Sequence, residues 1–162
     1  MASGPAGRGS VKWRAELLTE EQILFRGFSD QEQSDFLSLG EEREFGPDEA
    51  LVTENAPGSS LYIIRGGTVS VEKEGVGLTT LHEGDILGEL VIFRPSARSA
   101  TVRALSPTSV LEFEKETIMN FFKRREERLF KIFVINVINI LCLKLDRTDD
   151  RIVQLESLLT RG

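Results

Sequence analysis

The sequence contains few residues of the kinds that build disulfides and metal sites. Among its 162 residues there are one cysteine, Cys142, and one histidine, His82. A single cysteine excludes an intrachain disulfide, which fits a reducing compartment, and we expect a cytoplasmic location. A single imidazole excludes the histidine clusters on which many metal-dependent enzymes rely. We therefore expect no metal site and no cofactor.

The sequence also lacks a long hydrophobic run and an excess of positive charge. Its most apolar segment, LFKIFVINVINILCLKL from Leu129 to Leu145, is interrupted by two lysines and two asparagines, so it is too polar for a membrane span. The net charge of −6 argues against a general nucleic-acid binder. Residues 1–12 are rich in small residues and lack the apolar core of a signal peptide, and we expect them to form a flexible tail.

What is present is the composition of one globular domain. Apolar residues make up 40% of the chain and charged residues 28%, which suffices for a hydrophobic core at this length. Helical spacing of apolar residues predicts N-terminal helices over 13–40, where Ser29 and Glu32 form a capping box. Period-two alternation predicts strands over 41–114, and helical spacing returns over 115–162.

Short strands with frequent turn residues characterise the middle region. The predicted strands are Leu61–Ile64, Thr68–Glu72, Leu78–Leu81, Thr101–Leu105 and Ser109–Phe113. Glycines and prolines fall between them, as expected at turns. Many short strands with even spacing favour an antiparallel sandwich or barrel over a parallel sheet.

The most informative segment is GELVIFRPSARSATVRA, from Gly88 to Ala104. Glu89 offers carboxylate acceptors, and Arg98, nine residues later, offers a planar fork of donors that matches a phosphate. Small residues follow it, Ser99 and Ala100, and they allow backbone N–H groups to approach an anion closely. A site that holds a sugar hydroxyl and a phosphate together is suited to a nucleotide.

This segment resembles the phosphate-binding cassette of the cyclic nucleotide-binding domain family. The resemblance implies that Glu89 bonds the ribose 2′-hydroxyl and that Arg98 pairs with the cyclic phosphate. The further ligand-binding residues that it implies are Gly88, Leu90, Ser99, Ala100 and Thr101. The implied ligand is cyclic AMP or cyclic GMP.

The resemblance extends over roughly residues 24–157. The shared motifs outside the cassette are the turn Glu54–Gly58, the strand Tyr62–Ile64, Gly67 and the pair Gly84–Asp85. It implies a mainly β fold with flanking helices. In that fold residues 41–114 form an eight-stranded jelly-roll barrel, which lies between N-terminal helices and a long C-terminal helix.

The segment Leu143–Thr148 resembles the dimer helix of bacterial regulators of the catabolite-activator type. In those proteins a Thr and a Ser on this helix reach the purine, one from each subunit, and the corresponding residues here are Thr148 and Asp149. A carboxylate only accepts hydrogen bonds, so if Asp149 faces the pocket we expect it to favour guanine, which has N–H donors on its pairing edge.

The residues after Thr148 leave no room for a recognition helix. We therefore expect no direct DNA binding by this chain. It is either a stand-alone sensor or the sensor fragment of a longer transcription regulator.

The run from Leu129 to Leu145 carries apolar side chains on every face, and it begins a predicted helix that extends to about Leu159. We expect one face to pack on the barrel and the other on a second copy, which gives a parallel homodimer. Asn136 and Asn139 either set the register of that pairing, as buried asparagines do in coiled coils, or one of them faces water. Cys142 is expected to be a small core residue.

Two classes of function remain. The chain is a regulatory module that binds a cyclic nucleotide and signals by moving its C-terminal helix, or a non-binding dimerisation module with the same fold. An enzyme is the least favoured class, because no nucleophile–base pair is visible. The lone His82 also cannot supply the imidazole cluster of a cupin-type enzyme.

Overall fold

The structure is a computed structural model that describes residues 18–94 and 96–161. The predicted flexible tail, residues 1–12, lies outside the described residues. Two short helices begin the described part, α1 (Glu20–Leu24) and α2 (Asp30–Leu37).

Both N-terminal helices begin with a capping box. At α2 the Glu32 backbone N–H donates to Ser29 Oγ, and the Ser29 N–H donates to the Glu32 carboxylate. This confirms the capping box predicted from the sequence. Thr19 and Gln22 make the same reciprocal pair at α1. These bonds satisfy backbone donors that the first turn of a helix leaves free.

The described residues form ten strands in three antiparallel sheets. The strands are β1 (Glu41–Phe45), β2 (Ala50–Val52), β3 (Pro57–Gly58), β4 (Ser60–Gly66), β5 (Val69–Lys73), β6 (Val76–Leu81), β7 (Ile86–Leu87), β8 (Ser96–Ala97), β9 (Thr101–Ala104) and β10 (Thr108–Glu114). Two sheets have four strands each, in the orders β1-β10-β4-β7 and β2-β9-β5-β6, and β3 pairs with β8. Each strand predicted from the sequence is present, as β4, β5, β6, β9 or β10. The predicted mainly β jelly-roll class with flanking helices is confirmed.

Strand β4 lies between two hydrophobic cores. Leu61 and Ile63 pack in a core shared with the helices, whereas Tyr62 and Ile64 pack in a core with the second sheet. All four side chains are buried. Successive side chains of a strand point to opposite faces, so a strand buried on both faces has an unbroken apolar sequence.

Two helices follow the last strand, α3 (Lys115–Lys123) and α4 (Glu127–Leu159). The first half of α4 buries Phe133 against Phe36 of α2, with 5.6 Å between the ring centroids. Phe36 also contacts Phe113 of β10 at 5.1 Å. These rings tie the N-terminal helices, the sheet and α4 into one core. None of the helices in the described part of the chain has an apolar stretch long enough to cross a membrane.

The two asparagines of α4 have different surroundings. The side chain of Asn136 is buried, and its Nδ2 donates to the carbonyls of Leu24 and Arg26 at 2.9 and 2.8 Å. Asn136 therefore satisfies the two carbonyls at the end of α1, a role that the sequence did not indicate. Asn139 is exposed, in agreement with the alternative in which one of the two asparagines faces water.

The outer face of α4 is apolar but uncovered. Its exposed apolar side chains include Ile138, Leu145, Ile152 and Leu159. Cys142 is also exposed, so the prediction that it is a core residue was wrong. Because apolar residues occur on every face of this helix, the sequence pattern could not show which face packs on the rest of the chain and which remains exposed.

Candidate functional site

The predicted cassette begins with a tight backbone turn. Gly88 has a φ of 81°, and a short 3-10 helix, Glu89–Ile92, follows it. A Cβ atom at Gly88 would clash with the carbonyl oxygen of Ser60 and with the Arg98 guanidinium. Position 88 therefore requires glycine for its positive φ and for the space that it leaves to Arg98.

The Arg98 side chain lies in a cradle made by two glycines. A Cβ atom at Gly58 would overlap the Arg98 guanidinium, as one at Gly88 would. Arg98 Nη2 donates to the carbonyl of Ser60 at 3.0 Å. Its guanidinium carbon is 5.6 Å from the ring centroid of Tyr62. This leaves other N–H groups of the guanidinium free to bind an anion.

One face of Arg98 borders a small polar cavity of about 300 Å³. Ser60 Oγ is 2.9 Å from Glu112 Oε1 and also 2.9 Å from Glu114 Oε1. Hydrogen bonds from Ser59 and Ser60, together with the Arg98 charge, hold the pKa of Glu114 below its ordinary value. Glu112 and Glu114 therefore line a small cavity that Arg98 also borders, and neither of them lines the larger cavity described next.

A cavity of about 900 Å³ lies between the cassette and α4. The predicted site residues that line it are Gly88, Glu89, Leu90, Arg98, Ser99, Ala100 and Thr148. The guanidinium that suits a phosphate and the carboxylate that suits a hydroxyl thus face one cavity. No group of three or more His, Cys, Asp or Glu side chains within residues 18–94 and 96–161 is arranged to hold a metal ion.

Two predicted site residues do not line this cavity. Thr101 lies on β9, where its Oγ1 accepts from the backbone N–H of Glu54 at 2.9 Å. Thr101 therefore supports the loop after β2. Asp149 is exposed on α4, outside the cavity lining.

Lys144 is the main residue of the site that sequence analysis missed. Its Nζ lies 2.8 Å from Glu89 Oε1 and 3.5 Å from Glu20 Oε1, and it also donates to the carbonyl of Ile86. Only 27% of the Lys144 side chain is exposed. Helix α4 is thus joined by an ion pair to the carboxylate that the cassette presents to the cavity.

Glu20 completes this buried charge cluster from α1. Its side chain is 1% exposed, and the Ile86 N–H donates to its Oε1 at 2.9 Å. Arg147 Nη1 is 3.5 Å from the other oxygen. Burial raises the pKa of Glu20, although the Lys144 ammonium opposes this.

The charge of Lys144 is retained in spite of its burial. Desolvation disfavours the ammonium, but the Glu89 and Glu20 carboxylates together outweigh it, and the pKa of Lys144 is raised. In the sequence, Lys144 is a charged residue within an apolar helix, and nothing around it indicates a role in the site. Glu20 is an acidic residue in the first turn of a helix, which is a common position for such residues. Their pairing has no local sequence signal because it joins opposite ends of the chain.

Comparisons with known proteins identify relatives of this chain. The family model of the cyclic nucleotide-binding domain matches residues 42–125. The chain is 34% identical over 110 residues to the Pycsar effector protein PaPycTIR of Pseudomonas aeruginosa, covering 67% of this chain and 34% of that protein. It is 28% identical over 109 residues to a cAMP-dependent protein kinase regulatory subunit of Hypocrea atroviridis, covering 67% and 23%. The chain therefore spans about a third or less of the length of these curated relatives.

Solved structures show the same fold. A cyclic nucleotide-binding domain of Methylobacillus flagellatus matches with a TM-score of 0.76 at 24% identity, covering 88% of this chain and 84% of that one. The catabolite activator protein of Thermus thermophilus matches with a TM-score of 0.69 at 22% identity, covering 83% and 63%. The similarity to catabolite-activator-type sensor domains is thereby confirmed at the level of the fold.

Proposed function

Because the chain belongs to the cyclic nucleotide-binding domain family, we propose that it is a regulatory module that binds cyclic AMP or cyclic GMP and signals by moving α4. The proposal rests on one observation. Glu89, Arg98 and the small residues that follow Arg98 all line one cavity beside α4. A cyclic nucleotide has one phosphate charge and one free ribose hydroxyl, and these groups match that pair of side chains.

We assign roles in holding the ligand to the predicted site residues that line the cavity. Arg98 pairs with the cyclic phosphate, and Glu89 accepts a hydrogen bond from the ribose 2′-hydroxyl. The backbone groups and small side chains around these two residues complete the ligand shell. They belong to Gly88, Leu90, Ser99, Ala100 and, from α4, Thr148. Thr101 acts through the loop that it supports, and Asp149, which is exposed outside the cavity lining, is assigned no contact with the ligand.

The movement of α4 is proposed from the Lys144–Glu89 ion pair. A ribose hydroxyl that donates to Glu89 must compete with Lys144 or share the carboxylate, since Lys144 Nζ lies 2.8 Å from it. A ligand shifts a conformational equilibrium only if it binds the two positions of the helix with different affinity. The competition for Glu89 supplies such a difference.

Binding is tested by calorimetry with cyclic AMP and cyclic GMP. We expect saturable heat at one site per chain for at least one of them. The alternative, a non-binding dimerisation module with the same fold, predicts no heat from either nucleotide. No binding at millimolar ligand would therefore exclude the sensor and favour that alternative.

The same titration reports helix movement if Cys142 carries a fluorophore. Cys142 is the only cysteine and is exposed on α4. We expect its emission to change on ligand binding. A label on Glu42→Cys in a Cys142→Ser background, on the outer strand β1, serves as the control and should not respond. Heat without a response at Cys142 would contradict the movement while leaving the binding intact.

We further propose that α4 forms a parallel homodimer. The exposed side chains of Ile138, Leu145, Ile152 and Leu159 recur every seven residues along the helix. A seven-residue apolar repeat is typical of helices that pair in a coiled coil. The chain itself leaves this stripe uncovered, and a second copy would bury it.

We expect the double substitution Ile138→Glu and Leu145→Glu to convert the dimer to a monomer, because it places charges in the apolar stripe. Light scattering at micromolar concentration measures the change. Leu105→Glu is the matched control, since Leu105 is 53% exposed but lies outside α4, and Ile138 is 46% exposed. Leu141 and Ile152 are unsuitable for this test because they line the cavity. A wild-type mass near 18.1 kDa would rule out the dimer.

A further inference from the structure

The end of the cavity farthest along α4 is built by that helix and by β6. Thr148, Arg151 and Ile152 line it from the helix, and β6 lines it from the sheet. Arg151 Nη2 is 3.5 Å from the carbonyl of Gly77 on β6, so the two elements meet there. If the proposed function holds, the phosphate is at Arg98 and the ribose at Glu89. The base is then the part of the ligand left to occupy this end.

Among the charged residues that line the cavity, cations outnumber carboxylates. Among the described lining residues the only carboxylates are Asp85 and Glu89. Asp85 accepts from the His82 backbone N–H at 2.8 Å, and Glu89 is paired with Lys144. The base therefore meets donors rather than free carboxylates.

Two arginines on successive turns of α4, Arg147 and Arg151, differ in whether a carboxylate lies close to them. Arg147 lies 3.5 Å from the buried carboxylate of Glu20. Arg151 has no carboxylate within salt-bridge distance among the described residues, and its one hydrogen bond, to Gly77, is long. The fork of Arg151 is therefore free to turn toward a bound base.

We propose that Arg151 determines base specificity and selects guanine over adenine. Guanine presents two adjacent acceptors, N7 and O6, which an arginine fork binds with two hydrogen bonds. Adenine presents N7 beside an N6 amino donor, which a guanidinium cannot satisfy. The site therefore prefers cyclic GMP through a cation on α4, rather than through the carboxylate of Asp149.

The test measures dissociation constants for cyclic GMP, cyclic AMP and cyclic IMP. Hypoxanthine keeps N7 and O6 but lacks the exocyclic amino group of guanine. We expect the wild type to bind cyclic GMP about tenfold more tightly than cyclic AMP, given the discrimination of a bidentate arginine–guanine pair. Cyclic IMP should bind like cyclic GMP.

Arg151→Ala should bring the three constants within about threefold of one another, mainly by weakening cyclic GMP and cyclic IMP. Arg151→Lys keeps the charge but not the fork, and it should lose most of the preference. Asp149→Ser, two residues away on the exposed side of α4, should leave the ratios unchanged.

Three results would overturn the assignment of Arg151. One is an unchanged ratio in Arg151→Ala, and another is a ratio that moves with Asp149→Ser instead. The third is weak binding of cyclic IMP alone, which would indicate recognition of the amino group of guanine. Each of these requires that nucleotides bind, so the proposed function survives them. A wild type that binds none of the three nucleotides refutes the proposed function itself.

Discussion

We expect Arg98→Ala to weaken cyclic nucleotide binding more than any other substitution in the cavity. Arg98 lies in a cradle of glycines and faces the cavity with free N–H donors. Removing it leaves the ligand phosphate unpaired in a partly desolvated site, which typically costs about 2–5 kcal/mol. The affinity should fall roughly thirtyfold to several thousandfold.

Two further variants separate the contact between Arg98 and the phosphate from the effect on ligand affinity of removing any charge at the cavity. Arg94 is an exposed arginine that lines the same cavity, and Arg94→Ala should change the affinity only slightly. Glu89→Ala should cost less than Arg98→Ala, because it removes a neutral hydroxyl contact rather than an ion pair. Calorimetry gives the affinities, and circular dichroism verifies folding. Unchanged affinity in a folded Arg98→Ala protein would refute the cassette assignment.

The second large effect concerns the buried charge cluster. We expect Lys144→Met to lower the free energy of unfolding by about 3 kcal/mol, because it leaves the Glu20 and Glu89 carboxylates without their shared cation. Both carboxylates are nearly inaccessible, at 1% and 8% side-chain exposure. An unpaired buried charge is costly, whereas a pair removed together is not. Urea denaturation measures the change.

A double-mutant cycle isolates the pair from other consequences of the substitution. Combined with Lys144→Met, Glu20→Gln should destabilise less than the sum of the two single variants, by at least about 1 kcal/mol. Lys131→Met is the control, because the Lys131–Glu127 pair on the same helix is mostly exposed and surface pairs contribute little. Additive effects in the cycle would contradict the proposed coupling between α1 and α4 through Glu20 and Lys144.

Local chemistry accounts for the features that sequence analysis predicted well. The capping box at Ser29 and Glu32 is a contact between residues three apart. The double-sided burial of β4 follows from its unbroken apolar run. The cassette residues Glu89 and Arg98 face one cavity, and only a short 3-10 helix and the two-residue strand β8 separate them in the chain. In each case the information lies within about ten residues.

Very short strands were not predicted, and the reason is again physical. Strands β3, β7 and β8 have two residues each, so they carry no period that a pattern can reveal. Their position comes from pairing with distant partners, such as Pro57 of β3 with Ala97 of β8.

The sequence by itself therefore determined the family resemblance, the main strands and helices, and the pair Glu89 and Arg98 that lines the cavity. Only the tertiary structure decided which polar residues of the helices are internal. Asn136 bonds the carbonyls at the end of α1, and Lys144 joins Glu20 to Glu89. It also placed Arg151 in the cavity and Asp149 outside it. These outcomes depend on the rotation of α4 about its axis, which is set by long-range packing of Phe133 and its neighbours and not by any local pattern.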